Sequence, residues 1–271
     1  MFLNIRNFFT GALKELKIGG VKIILSLFIL FTSLLLYLLP VYENPPISPG
    51  SKWCYHYRET LIYDGKPIYE KKETLKYLSL NLTGNILVVR IERTFEWRFF
   101  YENRTEVIAS NASDEALSSV NIKNRMYIDG SYTSWWIPTR IFIGSSVPIW
   151  NIDFNVKGLS WIVINGKILE CWVLEYRSAL EEYTILYERV TGTFIKYEIK
   201  TFIGSSQQLL RERWLIDSDV TWPALTIVRP FLLLAAITFL LILIILFIKK
   251  IRRHLGKVSK KRGLDQNHLL V

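Results

Sequence analysis

Two uninterrupted apolar runs bracket a long middle in which apolar and polar positions alternate. Residues 231–248, FLLLAAITFLLILIILFI, carry no charged side chain. A helix of that length reaches about 27 Å, close to the roughly 30 Å hydrocarbon thickness of a bilayer. The mostly apolar residues 224–228 lengthen the span to 224–248, and Trp222 stands where an interfacial aromatic anchor belongs. The second run, residues 23–39, follows Lys22 and sits at the lower length limit for a span. A cleaved signal peptide would need small residues after its apolar core, but Leu38, Leu39, Pro40 and Val41 are bulky, so an uncleaved anchor is expected. Before it, Phe2, Ile5, Phe9, Leu13 and Leu16 recur at steps of three and four. Residues 1–22 thus form an amphipathic segment that either lies on the membrane surface or docks on another membrane protein, ending at Gly19 and Gly20.

Between the runs the period changes. Residues 40–50 hold four prolines and read as a stiff spacer. From 51 to 222, aromatic-rich alternating stretches are separated by Asp64-Gly65, Thr83-Gly84-Asn85, Asp129-Gly130, Asn165-Gly166 and Thr191-Gly192, which are hairpin-turn signals. Around Asn165-Gly166, pairing Ile164 with Lys167 collects Leu159, Trp161, Val163, Ile168, Trp172 and Leu174 on one face, a predicted core face with Glu170 as its odd member. Around Thr191-Gly192, Ile195, Tyr197 and Ile199 alternate with Lys196, Glu198 and Lys200, whose face should meet water. In residues 87–97, Leu87, Val89, Ile91, Phe95 and Trp97 share a side, and Arg93 interrupts it, an expected sheet-rim position. About eight to ten strands and one short helix, over 113–120, are predicted. The fold class expected is a mainly β ectodomain, an antiparallel meander closing as a sandwich, a barrel or a curved half-barrel, set between two transmembrane α-helices.

Charge sharpens this topology. The net +10 divides into +3 in residues 1–22 and +7 in residues 249–271, leaving the 23–248 middle neutral. A basic excess confined to the flanks of two spans is the signature of cytoplasmic ends, so residues 40–222 are expected outside the plasma membrane and 249–271 form a basic cytoplasmic tail. The same partition removes the support for nucleic-acid binding.

Candidate chemistry is sparse. Cys54 and Cys171, both in the outward segment, suit a disulfide in an oxidising compartment, with two inert free thiols as the alternative. Asn81, Asn103 and Asn111 head three N-glycosylation sequons, all within the expected ectodomain. His56 is the sole histidine of that domain and reads as a strand residue; two cysteines and one histidine do not make a zinc site, and no metal or other cofactor is expected. Glu181 and Glu182 are adjacent, would face opposite ways on a strand, and read as loop charges. Trp135-Trp136 either packs in the core or lines an apolar or sugar-binding groove. Phe-Ile-Gly-Ser-Ser occurs at 142–146 and again at 202–206, without similar flanks, as turn usage. Arg229, before Pro230, sits within the apolar approach to the second span. It either bends toward the interface or, with Pro230, contacts a partner in the membrane.

The segment 187–197, YERVTGTFIKY, resembles the aromatic, polar, Thr-Gly, apolar hairpin of exported β-rich proteins. These include uncharacterised archaeal membrane-anchored proteins and lipoprotein-carrier-like half-barrels. That resemblance implies a curved antiparallel sheet holding a hydrophobic ligand, although this chain has no lipobox. The function expected is a non-enzymatic accessory or interaction subunit at the cell surface, whose partners are the lipid bilayer and other membrane or cell-surface proteins. The alternatives are a binding module for an apolar, lipid-like or glycan ligand, and an enzyme with an unrecognised site.

Overall fold

The computed structural model describes residues 27–35, 37, 47–101, 104–219 and 224–267. The chain divides into two compact units, residues 40–228, and residues 1–39 with 229–271.

The first unit is built on one antiparallel sheet. Its strands are β1 (Lys52–Tyr63), β2 (Lys66–Thr83), β3 (Ile86–Tyr101), β4 (Arg104–Asn121), β5 (Met126–Tyr127), β6 (Ser146–Ile149), β7 (Ile152–Ile164), β8 (Lys167–Arg177), β9 (Glu181–Glu188), β10 (Phe194–Phe202) and β11 (Gln207–Ser218). They lie in the order β5-β4-β3-β2-β1-β11-β10-β9-β8-β7-β6. Two meanders are therefore zipped together where the first strand pairs with the last, Trp53 opposite Ser218. Lys52 and Asp219 exchange hydrogen bonds there, Lys52 N to Asp219 Oδ1 at 2.6 Å and Asp219 N to the Lys52 carbonyl at 3.1 Å, so the chain enters and leaves the sheet at one end. Asp64-Gly65 and Asn165-Gly166 have positive φ at both residues, the conformation a two-residue type I′ turn demands.

The sheet curls. Asn165 at the β7–β8 turn donates to Asp217 of β11 at 3.4 Å, although three strands separate β7 from β11. One core collects inward residues from both meanders, with Tyr55, Leu87, Val89, Phe154, Ile185 and Phe194 almost fully buried. The two outermost strands are linked by residues 128–145, which cross the concave face. Trp135, Trp136 and Ile137 of this crossing segment are buried in the core, and its backbone joins the β9–β10 turn through Ile137 N to Gly192 O and Phe194 N to Trp135 O, both 2.9 Å. Gly192 has φ +72, and a Cβ there would come within 2.2 Å of the Ile137 carbonyl oxygen, so the close approach requires glycine.

Several expectations change. Residues 113–120 form part of β4 rather than a helix, and eleven strands replace eight to ten. Ile164 does pair with Lys167, but the apolar face splits: Trp172 and Leu174 are buried, while Trp161, Val163 and Ile168 are exposed. The pairing runs unshifted from the tip to Gly158 and Val173, with a bulge only beyond, between Val156 and Gly158; near the tip Leu169 and Cys171 are buried and Ile162 and Ile164 pack against the core instead. Arg93 is not at a rim; it lies within β3, between Leu75 of β2 and Asp114 of β4, beside a bulge. The face of Ile195, Tyr197 and Ile199 is buried, and Lys196, Glu198 and Lys200 lie partly open to solvent, as their alternation predicts.

A long helix (Ala224–Asn267), which belongs to the second unit from Arg229 onward, contains Pro230. Its Thr226–Ile245 stretch, of mean hydropathy 2.6, is the one helical segment among the described residues long and apolar enough to cross a membrane. The expected pair of spans is thus met by a single such helix. The first expected span lies partly outside the described residues, of which 27–35 and 37 are helical. The amphipathic segment 1–22 and most of the spacer 40–50 also lie outside them.

Candidate functional site

Strand alternation divides the concave face into rows. Low on this face Trp53, Tyr77 and Ile91 share a row: Trp53 stacks on Tyr77 at 5.7 Å, and Trp135 of the crossing segment meets both edge-on at 6.3 and 5.9 Å. Higher up, the same alternation brings in Tyr57, Glu73 and Phe95, then Glu59, Lys71 and Trp97, then Leu61, Tyr69 and Phe99. The crossing segment is not among the ring partners of these upper residues. Tyr69 contacts Trp97 at 6.1 Å and Phe99 at 5.5 Å, and Phe95 contacts Trp97 at 6.2 Å. These four rings lie outside the core cluster, and Trp97 is 37% exposed. Lys71 Nζ stands over Phe95 at 5.8 Å and over Trp97 at 5.6 Å, pairing also with Glu73.

β11 supplies the opposite wall. Arg213 faces Tyr57 and Tyr197 in its row, and Arg211 faces Glu59 and Ile199 in the next. The Arg213 guanidinium lies 4.4 Å from the Tyr55 ring, 5.0 Å from Tyr77 and 5.3 Å from Phe194, and donates to Tyr77 Oη at 2.6 Å. Burial pushes Tyr197 up to about 12, with Arg213 acting in the opposite direction, and burial with the Tyr183–Glu181 hydrogen bond pushes Tyr183 up to about 12. These phenols stay protonated at neutral pH, so Arg213 is surrounded by π faces and dipoles rather than by anions. Glu59 accepts from Tyr57 Oη at 2.8 Å, and that bond, after burial, raises the Tyr57 pKa. The result is a half-buried shelf of rings bordered by cations and hydrogen-bonding groups, suited to holding an amphiphile.

A cleft of about 530 Å³ opens at the end where the chain enters and leaves the sheet, bordered by Lys52, Trp53, Cys54, Tyr77, Asp217 and Asp219 among others. Its charges are of both signs, and its two aspartates already accept hydrogen bonds, Asp217 from Asn165 and Asp219 from Lys52.

The expected site residues are scattered. Cys54 and Cys171 are not bonded to one another. Cys54 occupies the side of β1 opposite Trp53 and Tyr55, level with exposed Lys76 and Asp217, whereas Cys171 is sealed in the core between Ser160 and Glu188. Burial raises the pKa of both thiols, Cys171 far beyond the usual range. Asn81 is exposed on β2, and residues 111–113 bulge from β4 opposite Thr94 alone, while Asn103 lies outside the described residues. Trp135 and Trp136 belong to the core. His56 is exposed on the outer face beside Thr74 and Trp214. Glu181 and Glu182 lie on β9 rather than in a loop; Glu181 accepts from Tyr183 at 2.8 Å and from Thr201 at 3.3 Å. No group of three or more metal-ligating side chains occurs among the described residues.

Arg229 is buried, and its Nε donates to the Tyr37 carbonyl at 3.0 Å, with the guanidinium 6.0 Å from the Tyr37 ring. Its charge is thus engaged within the chain, next to Pro230. The residues overlooked in the sequence are Tyr69, Arg211 and Arg213; Phe95 and Trp97 share a side with Leu87, Val89 and Ile91 there, because alternation cannot tell a filled face from an open one. No protein-family model and no curated protein matches the chain.

Proposed function

We propose that this protein is a membrane-anchored binding module whose β domain holds an apolar, lipid-like ligand on its open concave face. The observation that carries this reading is the group of Tyr69, Phe95, Trp97 and Phe99, four rings on the core-facing side of the sheet that lie outside the core. Partly exposed aromatic groups in a curved surface, with a few convergent polar side chains, are what small-ligand sites are made of. The role is binding, without catalysis. In the full-length protein, Trp97→Ala and Tyr69→Ala should each weaken binding of a monoacylglycerol about tenfold, measured by tryptophan fluorescence. Unchanged binding by both variants would refute the site.

Anchorage is proposed as two-pass in the plasma membrane, with both termini cytoplasmic and the β domain outside. The basic flanks and the Arg229–Tyr37 hydrogen bond support it. In a Cys54→Ser background, Asn4→Cys and Asp265→Cys should resist a membrane-impermeant maleimide in intact cells and react after permeabilisation. Labelling of either in intact cells would contradict the topology.

A second reading, an accessory subunit that pairs with another surface protein, is favoured by the edge of β4. Only Val120 and Asn121 of that strand pair with β5, which leaves a long edge suited to strand addition.

A further inference from the structure

Three arginines of the concave face each hold back one donor. Arg211 and Arg213 alternate along β11, and Arg93 lies on β3, one row below Arg213. The Nε of each is buried and has no hydrogen-bond partner. Among the described residues Arg93 and Arg213 form no ion pair, and Arg211 has only Glu59, 4.0 Å from its Nε. Arg213 donates to the Tyr77 hydroxyl, and Arg211 Nη2 donates to Thr201 Oγ1 at 3.1 Å. Of the carboxylates nearby, Glu73 pairs with Lys71, Glu181 accepts from Tyr183 and Thr201, and Glu59 accepts from Tyr57, while Asp114, opposite Arg93 on β4, is exposed to solvent. All three side chains are half-buried, and a guanidinium with an enclosed, unused N–H is satisfied by an incoming acceptor, most strongly by a planar or tetrahedral anion.

The geometry points to an anionic lipid as the ligand, its phosphate or carboxylate headgroup at Arg93, Arg211 and Arg213 and its hydrocarbon chain over Trp97, Tyr69 and Phe99. This rests on the binding reading above and adds the headgroup. Inward rows of a strand are about 7 Å apart, so the row of Tyr69 and Phe99 lies about 14 Å from that of Arg213, a span that a single acyl chain covers. The source is the bilayer that anchors the chain.

Full-length protein in a non-ionic detergent is titrated with lysophosphatidic acid, with a monoacylglycerol of the same chain length and with inorganic phosphate. Lysophosphatidic acid should bind about tenfold more tightly than the monoacylglycerol, and phosphate alone should not saturate. Arg93→Gln with Arg211→Gln should reduce lysophosphatidic acid to the affinity of the neutral lipid, with the β-sheet circular dichroism unchanged. Trp97→Ala, which leaves the arginines in place, should weaken both lipids by the same factor. Equal affinities of the two lipids for the unaltered protein would overturn headgroup recognition and leave the binding reading standing. Phosphate binding as tightly as lysophosphatidic acid would overturn the lipid assignment, and binding of neither lipid would overturn both readings.

Discussion

Arg125 donates through Nη2 to the carbonyl of Pro148 at 3.2 Å, and that bond joins the two outermost parts of a single sheet. Arg125 precedes β5 at one edge and Pro148 lies in β6 at the other. The same side chain also donates to the carbonyls of Trp136 at 3.0 Å and Thr133 at 3.4 Å, so one buried guanidinium ties both edges to the crossing segment. Arg125→Met keeps much of the volume and leaves three carbonyls without this donor. It should destabilise the β domain by about 3 kcal/mol, measured by denaturant unfolding. Arg125→Lys should recover only part of that loss, because an ammonium cannot reproduce the planar fork.

Gly192 and Gly84 separate backbone strain from collision. Both have positive φ, but a Cβ at Gly84 meets nothing within 4 Å, whereas at Gly192 it strikes the Ile137 carbonyl. Gly84→Ala should cost about 1 kcal/mol. Gly192→Ala should cost at least about twice as much and should loosen the crossing segment, seen as faster amide exchange at Ile137.

With Cys54 and Cys171 unbonded, reducing agent should leave the melting temperature unchanged, whereas a bridge across so long a loop would add about 4 to 5 kcal/mol. A maleimide should label Cys54 in the folded protein and Cys171 only after denaturation. A rise in mobility or stability under oxidising conditions would argue for the bridge.

Stability should fall at high pH. Burial raises the pKa of Tyr127 and Tyr197 to about 12, and of Tyr55 and Tyr187 further. A group that binds its proton more tightly when folded contributes stability that is complete below its unfolded pKa of about 10 and is lost as the pH rises through the folded value. The melting temperature should therefore hold between about pH 7 and 9 and drop steeply above about pH 10. Tyrosinate absorbance that rises fully before unfolding would contradict this.

Much of the fold is legible in the sequence because its signals are local. Asp64-Gly65 and Asn165-Gly166 adopt the turns their residue types favour, and Leu87, Val89 and Ile91 are buried as their alternation requires. What stayed hidden depends on contacts distant along the chain. The pairing of β1 with β11, the crossing of residues 128–145 and the clasp of Arg125 have no short-range signature. The exposed Trp161 and Val163 show the same limit: near the tip it is Ile162, Ile164 and Leu169 that pack against the core, and periodicity cannot say which face a distant element covers. The candidate site was the least legible part, since its rings look like core until the extent of the crossing segment is known.

The central claim, that the ring group of the concave face holds a membrane lipid, is tested most directly by photo-cross-linking. The full-length protein is reconstituted with a phospholipid carrying a diazirine in its acyl chain, illuminated, and mapped by mass spectrometry. Adducts on Tyr69, Phe95, Trp97 or Phe99, in addition to those on the 226–245 stretch, are the predicted result. Adducts confined to the apolar segments, with none on the β domain, would contradict it.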